Sequence, residues 1–225
     1  MPNAQFNFDL DLYPVKVESN AEIAKDVYVL SYQRSHTFSA GQVVGISIIE
    51  YGEPRLYSIA SGSTDDMIRL LYNIKPDGEL SPSLAGLKAG DTLYVSAPFG
   101  SFYGTAKPAV FIASGTGIAP FMSMLRSGLN KDKSIIHGGR TLESFYFKDE
   151  LMKELGPENY IRCCSQESGD NVYEGRLTNY LREHNDLDHD RKYYLCGLAE
   201  MVVETRDLLI DKGIPYENII AEIYF

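Results

Sequence analysis

Arg55, Leu56, Tyr57 and Ser58 follow one another in an order that, along a β-strand, sends alternate side chains to opposite faces, so Arg55 and Tyr57 share a face. A guanidinium clamps phosphate bidentately, a tyrosine ring is a flat platform for another ring, and the Ser58 hydroxyl can donate to a ring nitrogen. Phosphate plus a flat heterocycle points to a flavin nucleotide, although the tetrapeptide alone also reads as an ordinary half-buried strand. Further along, Ala113-Ser114-Gly115-Thr116-Gly117-Ile118-Ala119-Pro120 follows an apolar run and opens a helical segment. There, glycines let the backbone approach a diphosphate at a helix N-terminus, and Pro120 suits a first helical turn. The spacing Gly-x-Gly-x-x-Pro departs from Gly-x-Gly-x-x-Gly, which leaves a plain strand-to-helix turn as the other reading. Cys196-Gly197 ends a second apolar run, where ligands of open α/β sheets lie. That would set a thiol beside the nucleotide, unless Cys196 is simply a small buried hydrophobe. The stretch Ala221-Glu222-Ile223-Tyr224-Phe225 carries two adjacent aromatics that would pack on a domain edge or cover a flat ligand.

The elements needed to hold these groups divide the chain in two. Up to about residue 104, short strands are expected at 15–18, 27–33, 43–49, 55–59, 67–74 and 92–97, with one or two helical turns at 80–87. Turn formers separate them, as in Pro76-Asp77-Gly78 and Lys88-Ala89-Gly90-Asp91, and this regular spacing predicts a closed antiparallel barrel. After Lys107-Pro108 apolar runs alternate with helical periodicity, the pattern of a parallel sheet with crossover helices. Five strands are expected at 109–113, 134–137, 160–165, 192–196 and 219–223, with helices at 119–126, 147–155, 178–183 and 200–212.

Composition narrows the class. A chain of 225 residues holds two domains of about 100 to 120 residues each. With 44% hydrophobic and 23% charged residues it reads as an ordinary soluble protein. No window approaches the roughly 18 uninterrupted apolar residues of a membrane span. The start shows neither a signal peptide nor a lipidation motif, so a cytoplasmic protein is expected. A net charge of −10 argues against non-specific nucleic-acid binding. Cys163, Cys164 and Cys196 are odd in number, and the adjacent pair points to opposite faces of a strand, so they are read as unpaired, with Cys163 and Cys164 as packing residues. Iron–sulfur spacing is absent, which assigns any such centre to a separate polypeptide. His36, His137, His184 and His189 lack metal-ligand spacing, and no metal site is expected.

Taken in order, Arg55-x-Tyr57-Ser58, Gly78-Glu79-Leu80-Ser81, Gly115-Thr116-Gly117-Ile118-Ala119-Pro120 and Cys196-Gly197 resemble the ferredoxin-NADP reductase superfamily, over nearly the whole chain. Pro76-Asp77-Gly78-Glu79-Leu80-Ser81-Pro82-Ser83-Leu84 and Glu222-Ile223-Tyr224-Phe225 are similar to its bacterial-type ferredoxin (flavodoxin)-NADP reductases. The resemblance implies a Greek-key FAD barrel at residues 1–104 and an α/β NAD(P) domain with a five-stranded parallel sheet at 105–225. It implies that Arg55 holds an FAD phosphate, Leu56 and Tyr57 contact the cofactor with Tyr57 stacked on the isoalloxazine, and Ser58 bonds flavin N5. Gly78, Glu79, Leu80 and Ser81 would cradle the diphosphate, and Tyr72 would touch FAD from the next strand. Gly115, Thr116, Gly117 and Pro120 would hold the dinucleotide, with Thr116 reaching both cofactors. Cys196, Gly197 and Glu222 would line nicotinamide and flavin, and Tyr224 or Phe225 would cover the flavin's other face as a gate. In the bacterial subgroup three arginines meet the NADP 2′-phosphate. Here Gly139-Arg140 and Arg176 keep two, while Ser165-Gln166 replaces the third, so NADP(H) is expected with NAD(H) left open.

The implied activity is hydride exchange between NADPH and FAD, with Ser58, Cys196 and Glu222 as the catalytic set. Electrons would pass singly to a separate ferredoxin or flavodoxin, the enzyme acting as a monomer. Two alternatives keep the fold: a free-flavin reductase or oxygenase reductase component, and a non-catalytic FAD-binding electron-transfer subunit.

Overall fold

The computed structural model describes residues 10–224. Its first half contains β1 (Leu12–Ala24), β2 (Val27–Gln33), β3 (Val43–Ser47), β4 (Arg55–Ser58), β5 (Met67–Asn73), the short helix α1 (Leu80–Ala85) and β6 (Thr92–Ser96). The strands pair antiparallel in the order β4-β3-β6-β1-β2-β5. The two edge strands meet through a bridge between Ile59 and Leu70, which closes the barrel around Val17, Leu30, Ile46, Ile59, Leu70 and Leu93. The sequence predicted β1 only at 15–18, yet it runs for 13 residues. Its second part is mostly polar and exposed, so it lacks a strand pattern. Register shifts between Val17 and Ser19 and between Glu22 and Ala24 bend it so that one strand serves β6 at one end and β2 at the other.

The second half contains β7 (Ala109–Ser114), α2 (Ala119–Arg126), β8 (Lys133–Gly139), α3 (Lys148–Leu155), β9 (Tyr160–Cys164), β10 (Val172–Glu174), α4 (Leu177–Glu183), β11 (Lys192–Leu198), α5 (Ala199–Asp211) and β12 (Ile219–Tyr224). The parallel order is β10-β9-β8-β7-β11-β12, so the sheet has six strands where five were expected. The additional strand, β10, is three residues long and pairs along one side only, too short for a hydrophobic run to announce it. Strand order reverses between β7 and β11, and a ligand crevice is expected beyond their carboxyl ends.

One face of this sheet packs α4 and α5 around Val110, Ile112, Ile136 and Leu195. The other face packs α2 and α3, and its core continues into the barrel through Val27, Ala40, Ala60, Leu71 and Phe102. Every residue of α2 from Ala119 to Leu125 is buried, as befits a helix with no polar face, because it lies between sheet and barrel. Phe121 stacks on Phe111 at 4.6 Å, and Phe102 reaches across to Tyr194 at 5.5 Å. Truncating a ring such as Phe102, 5% exposed, to alanine costs about 3–5 kcal/mol. Cys163, Cys164 and Cys196 are buried, and none of them is joined in a disulfide. Among the described residues no helix is long and apolar enough to cross a membrane.

Candidate active site

Ser58, Glu222 and Cys196 come from three strands and two domains, and they meet. Ser58 Oγ, on the last residue of β4, donates to Glu222 Oε2 on β12 at 2.9 Å. Cys196 faces Glu222 in the parallel register of β11 and β12, with Sγ 4.0 Å from the same oxygen. Ser58 is 3% and Cys196 0% exposed. Burial raises the Glu222 carboxyl from 4.5 to about 6, while the hydrogen bond from Ser58 opposes the rise. A carboxyl that titrates there, bonded to a hydroxyl, can hold a proton and pass it on at neutral pH.

The glycine stretch forms a 3₁₀ turn over Gly115–Ile118 that runs into α2, with Pro120 in the helix's first turn. A Cβ on Gly117 would lie 2.3 Å from the Cys196 carbonyl oxygen, and one on Gly197 (φ +140°) would lie 2.3 Å from Ser114 Oγ. These two glycines are therefore demanded by the close approach of the turn to β11. Gly115 is different: its left-handed φ of +54°, not a close neighbour, is what favours glycine there. Thr116 is half-buried beside it. Beneath the turn, fully buried His137 places Nδ1 3.0 Å from the Tyr160 hydroxyl. Burial pushes this imidazole down to about 4, so it stays neutral below the turn.

On the barrel side Arg55 is exposed, with Nη1 3.5 Å from Glu53 Oε1, and Leu56 is also exposed. Tyr57 is half-buried, and burial pushes its hydroxyl up to about 12 against the nearby Arg55 charge. Its ring meets Tyr72 edge-on at 6.2 Å. Tyr72 is only 3% exposed, stacks on Tyr28 and donates to Asn20 Oδ1 at 3.0 Å, so here it braces Tyr57. Asn20, which the sequence did not single out, donates in turn to the carbonyls of Leu84 and Leu87 at 2.8 and 3.1 Å, tying α1 to the same wall. Glu79 stands at the N-cap of α1, and Leu80 packs on the barrel core. The Gly78 N–H donates to the Lys75 carbonyl, and Ser81 Oγ accepts from the Lys75 N–H, both at 2.8 Å, which shapes a tight turn there. An exposed guanidinium, a flat ring and a hydroxyl on one strand form a donor set that fits a phosphate-bearing flavin.

At the carboxyl ends of β8, β9 and β10 the backbone continues the sheet. The Ser165 N–H donates to Gly139 O at 3.1 Å, that of Gln166 to Arg140 O at 3.0 Å, and that of Gly175 to Cys164 O at 2.7 Å. Arg140, Ser165, Gln166 and Arg176 are thereby gathered on one exposed rim, and the unforeseen β10 is what delivers Arg176 to it. Two further residues shape the rim without a sequence motif to mark them. Glu167 Oε2 accepts the Leu142 N–H at 2.7 Å, and Arg162 Nη2 donates to the Asp170 and Asn171 carbonyls at 3.1 and 3.3 Å. The expected aromatic cover cannot be placed: β12 reaches Tyr224 opposite Leu198, but the Tyr224 side chain and Phe225 lie outside the described residues.

Comparison with known proteins identifies the two halves of the chain by domain type. Residues 14–103 match the oxidoreductase FAD-binding domain and residues 111–207 the oxidoreductase NAD-binding domain. Reductase component 2 of terephthalate 1,2-dioxygenase from Comamonas sp is 30% identical over 229 residues, covering 94% of this chain and 68% of that one. The reductase component of propane 2-monooxygenase from Mycolicibacterium goodii is 28% identical over 206 residues, covering 83% and 59%. The crystal structure of a ferredoxin NADP+ reductase from Neisseria gonorrhoeae with bound FAD and NADP superposes with a TM-score of 0.84 at 23% identity, covering 96% of this chain and all of that one. A cytochrome P450 reductase from Amycolatopsis gives 0.83 at 25%, covering 95% and 70%. With two matched domains, a shared fold and a relative at this identity, the chain belongs to the ferredoxin-NADP reductase superfamily of FAD- and NAD-binding oxidoreductases.

Proposed function

We propose that this oxidoreductase exchanges hydride between NADPH and bound FAD and passes electrons one at a time to a separate ferredoxin or flavodoxin. It would act in the cytoplasm as a monomer, with residues 1–104 holding FAD and 105–225 the nicotinamide nucleotide. The observation that carries this reading is the Ser58–Glu222 hydrogen bond across the two domains, with Cys196 beside the same carboxylate oxygen. Bound FAD supplies the hydride acceptor and the conversion between two-electron and one-electron transfer. The chain's own residues bind and orient. Arg55 neutralises FAD phosphate charge, Tyr57 offers its ring to the isoalloxazine, and the α1 turn at Gly78, Glu79, Leu80 and Ser81 faces the diphosphate. Gly115, Thr116, Gly117 and Pro120 seat the dinucleotide, while Arg140 and Arg176 meet a 2′-phosphate beside Ser165 and Gln166. Cys196 and Gly197 form the nicotinamide wall. Ser58 Oγ is positioned to hand a proton between Glu222 and the flavin edge.

A second reading makes the chain the reductase component of a multicomponent oxygenase, and the names of two relatives favour it: terephthalate 1,2-dioxygenase reductase and propane 2-monooxygenase reductase. Both readings share the chemistry of hydride entry and differ in the acceptor. Stopped-flow reduction of the FAD-loaded protein by NADPH and by NADH, followed by reoxidation with ferredoxin, flavodoxin, free flavin and oxygenase components, tests them together. A protein that takes up no FAD, or whose flavin neither nucleotide reduces, would overturn both.

A further inference from the structure

Beyond the residues that touch cofactor, we infer that Arg126 is a positioning residue for hydride transfer, latching the dinucleotide-binding helix to the strand that carries Ser58. The inference rests on the reading of Ser58 and Cys196 given above. Arg126 is the last residue of α2, the helix that begins where the glycine turn ends. Its Nη1 donates to the Ala60 carbonyl at 2.7 Å, while Nε and Nη2 grip the two carboxylate oxygens of Glu150 on α3 at 2.7 and 2.6 Å. The guanidinium also lies 4.8 Å over the ring of Phe147. Phe147 is held at φ 60°, a left-handed conformation that a residue with a Cβ rarely adopts, directly before α3. Ala60 is fully buried and lies two residues beyond Ser58 in the sequence.

The contact is built from both sides. The Ser63 N–H donates to Ser127 Oγ at 2.8 Å, and a Cβ on Gly62 would lie 2.7 Å from the Arg126 carbonyl oxygen. On the barrel side Arg34 Nη1 donates to the Ser63 carbonyl at 2.9 Å and Asp65 Oδ2 accepts the Gly62 N–H at 3.1 Å, so the 60–63 turn is itself fixed. At its other end α2 leads back to Gly117, whose Cα is packed on the Cys196 and Gly197 backbone. A rigid helix of eight residues, about 12 Å long, thus joins the exit of the flavin strand to the nicotinamide wall. Apolar packing around α2 would tolerate sliding, whereas three directional donors on one planar fork do not. Lysine, with a single ammonium on a flexible stem, would meet either Ala60 or Glu150 but reproduce only part of this geometry.

The test compares Arg126→Lys, Arg126→Met and Glu150→Gln with the parent, all loaded with FAD, and adds Gly62→Ala as an uncharged wedge at the same contact. The measurements are FAD content, the NADP+ dissociation constant, the rate of flavin reduction by NADPH, the nicotinamide–flavin charge-transfer absorbance, and ferricyanide oxidation of dithionite-reduced flavin. Hydrogen exchange across residues 60–66 is followed with and without FAD. A positioning role predicts FAD content, NADP+ affinity and ferricyanide oxidation within about twofold of the parent. It predicts a fall of about ten- to a hundredfold in flavin reduction for Arg126→Met, a weaker charge-transfer band, faster exchange at 60–66, and partial recovery in Arg126→Lys. Gly62→Ala should show the same split. Should Arg126→Met not fold, Arg126→Lys and Gly62→Ala decide. Reduction rates that stay at the parent's level while exchange rises would overturn the inference, as would losses that merely track FAD content. If neither nucleotide reduces the parent, the functional reading fails, and the latch then stands or falls on exchange at 60–66 alone.

Discussion

Glu222→Gln preserves the shape of the side chain that joins the two domains and removes only its titration. In the folded chain burial holds this carboxyl at about 6 against an ordinary 4.5, the Ser58 bond being the smaller, opposing influence. The folded state therefore keeps its proton to higher pH than the unfolded state, and the stability linked to this group is complete below 4.5 and lost as pH rises through 6. A carboxyl moved from 4.5 to about 6 corresponds to about 2 kcal/mol. Glutamine does not titrate, so the unfolding free energy of the parent minus that of Glu222→Gln should fall by about 2 kcal/mol between about pH 4 and about pH 7.5. Paired urea titrations of the FAD-free proteins at constant ionic strength measure this difference directly. A difference that is flat, or that grows with pH, would refute burial as the dominant influence on Glu222. The same variant should remove an inflection near pH 6 from the parent's pH–rate profile for flavin reoxidation, since Ser58 would lose its titrating partner.

Arg55→Ala should weaken FAD retention on titration by roughly tenfold or more, the loss of one charge-assisted bond of about 1.5–3 kcal/mol, and an unchanged FAD dissociation constant would remove Arg55 from the phosphate site. NADPH should be preferred over NADH in kcat/KM, with Arg140→Ala and Arg176→Ala each lowering the ratio. A parent that favours NADH would undo the assignment of both arginines. With a net charge of −10 the protein repels acidic carriers overall, so productive docking requires a local basic patch, and the carrier KM should rise with added salt. A KM that stays flat or improves would show that no such steering operates.

The sequence made the site legible where a backbone requirement forces a residue type in a fixed order. A Cβ on Gly117 would meet the Cys196–Gly197 backbone and one on Gly197 would meet Ser114, and that steric demand is what the glycine stretch and Cys196-Gly197 display. The alternation of Arg55 to Ser58 similarly marked β4, and six barrel strands were expected and found. Missed features depend on partners far along the chain. Asn20 works through carbonyls 64 and 67 residues away, and Arg126 through one 66 residues away, so no local pattern reports them. The three residues of β10 are too few for periodicity, though they deliver Arg176 to the exposed rim beside Arg140. One signal was present and unused: the α2 run from Ala119 to Leu125 carries no polar face, which marks a helix covered on all sides and hence an interface between the domains.

On the proposed function that interface decides the reacting geometry, because Ser58 belongs to the barrel while Cys196 and Glu222 belong to the parallel sheet. Neither domain alone fixes the 2.9 Å contact between Ser58 and Glu222. Burial of Phe102, Phe111, Phe121 and Tyr194 holds the domains together strongly but without direction, since apolar attraction follows area rather than orientation. Directional contacts must then supply the register, and those that cross the boundary include Ser58 to Glu222, Arg126 to Ala60 and Ser63 to Ser127. On the proposed function, with each nucleotide held mainly by one domain, cofactor affinity and transfer rate should be separable in this molecule, because contacts between the domains would set the distance between the reacting atoms.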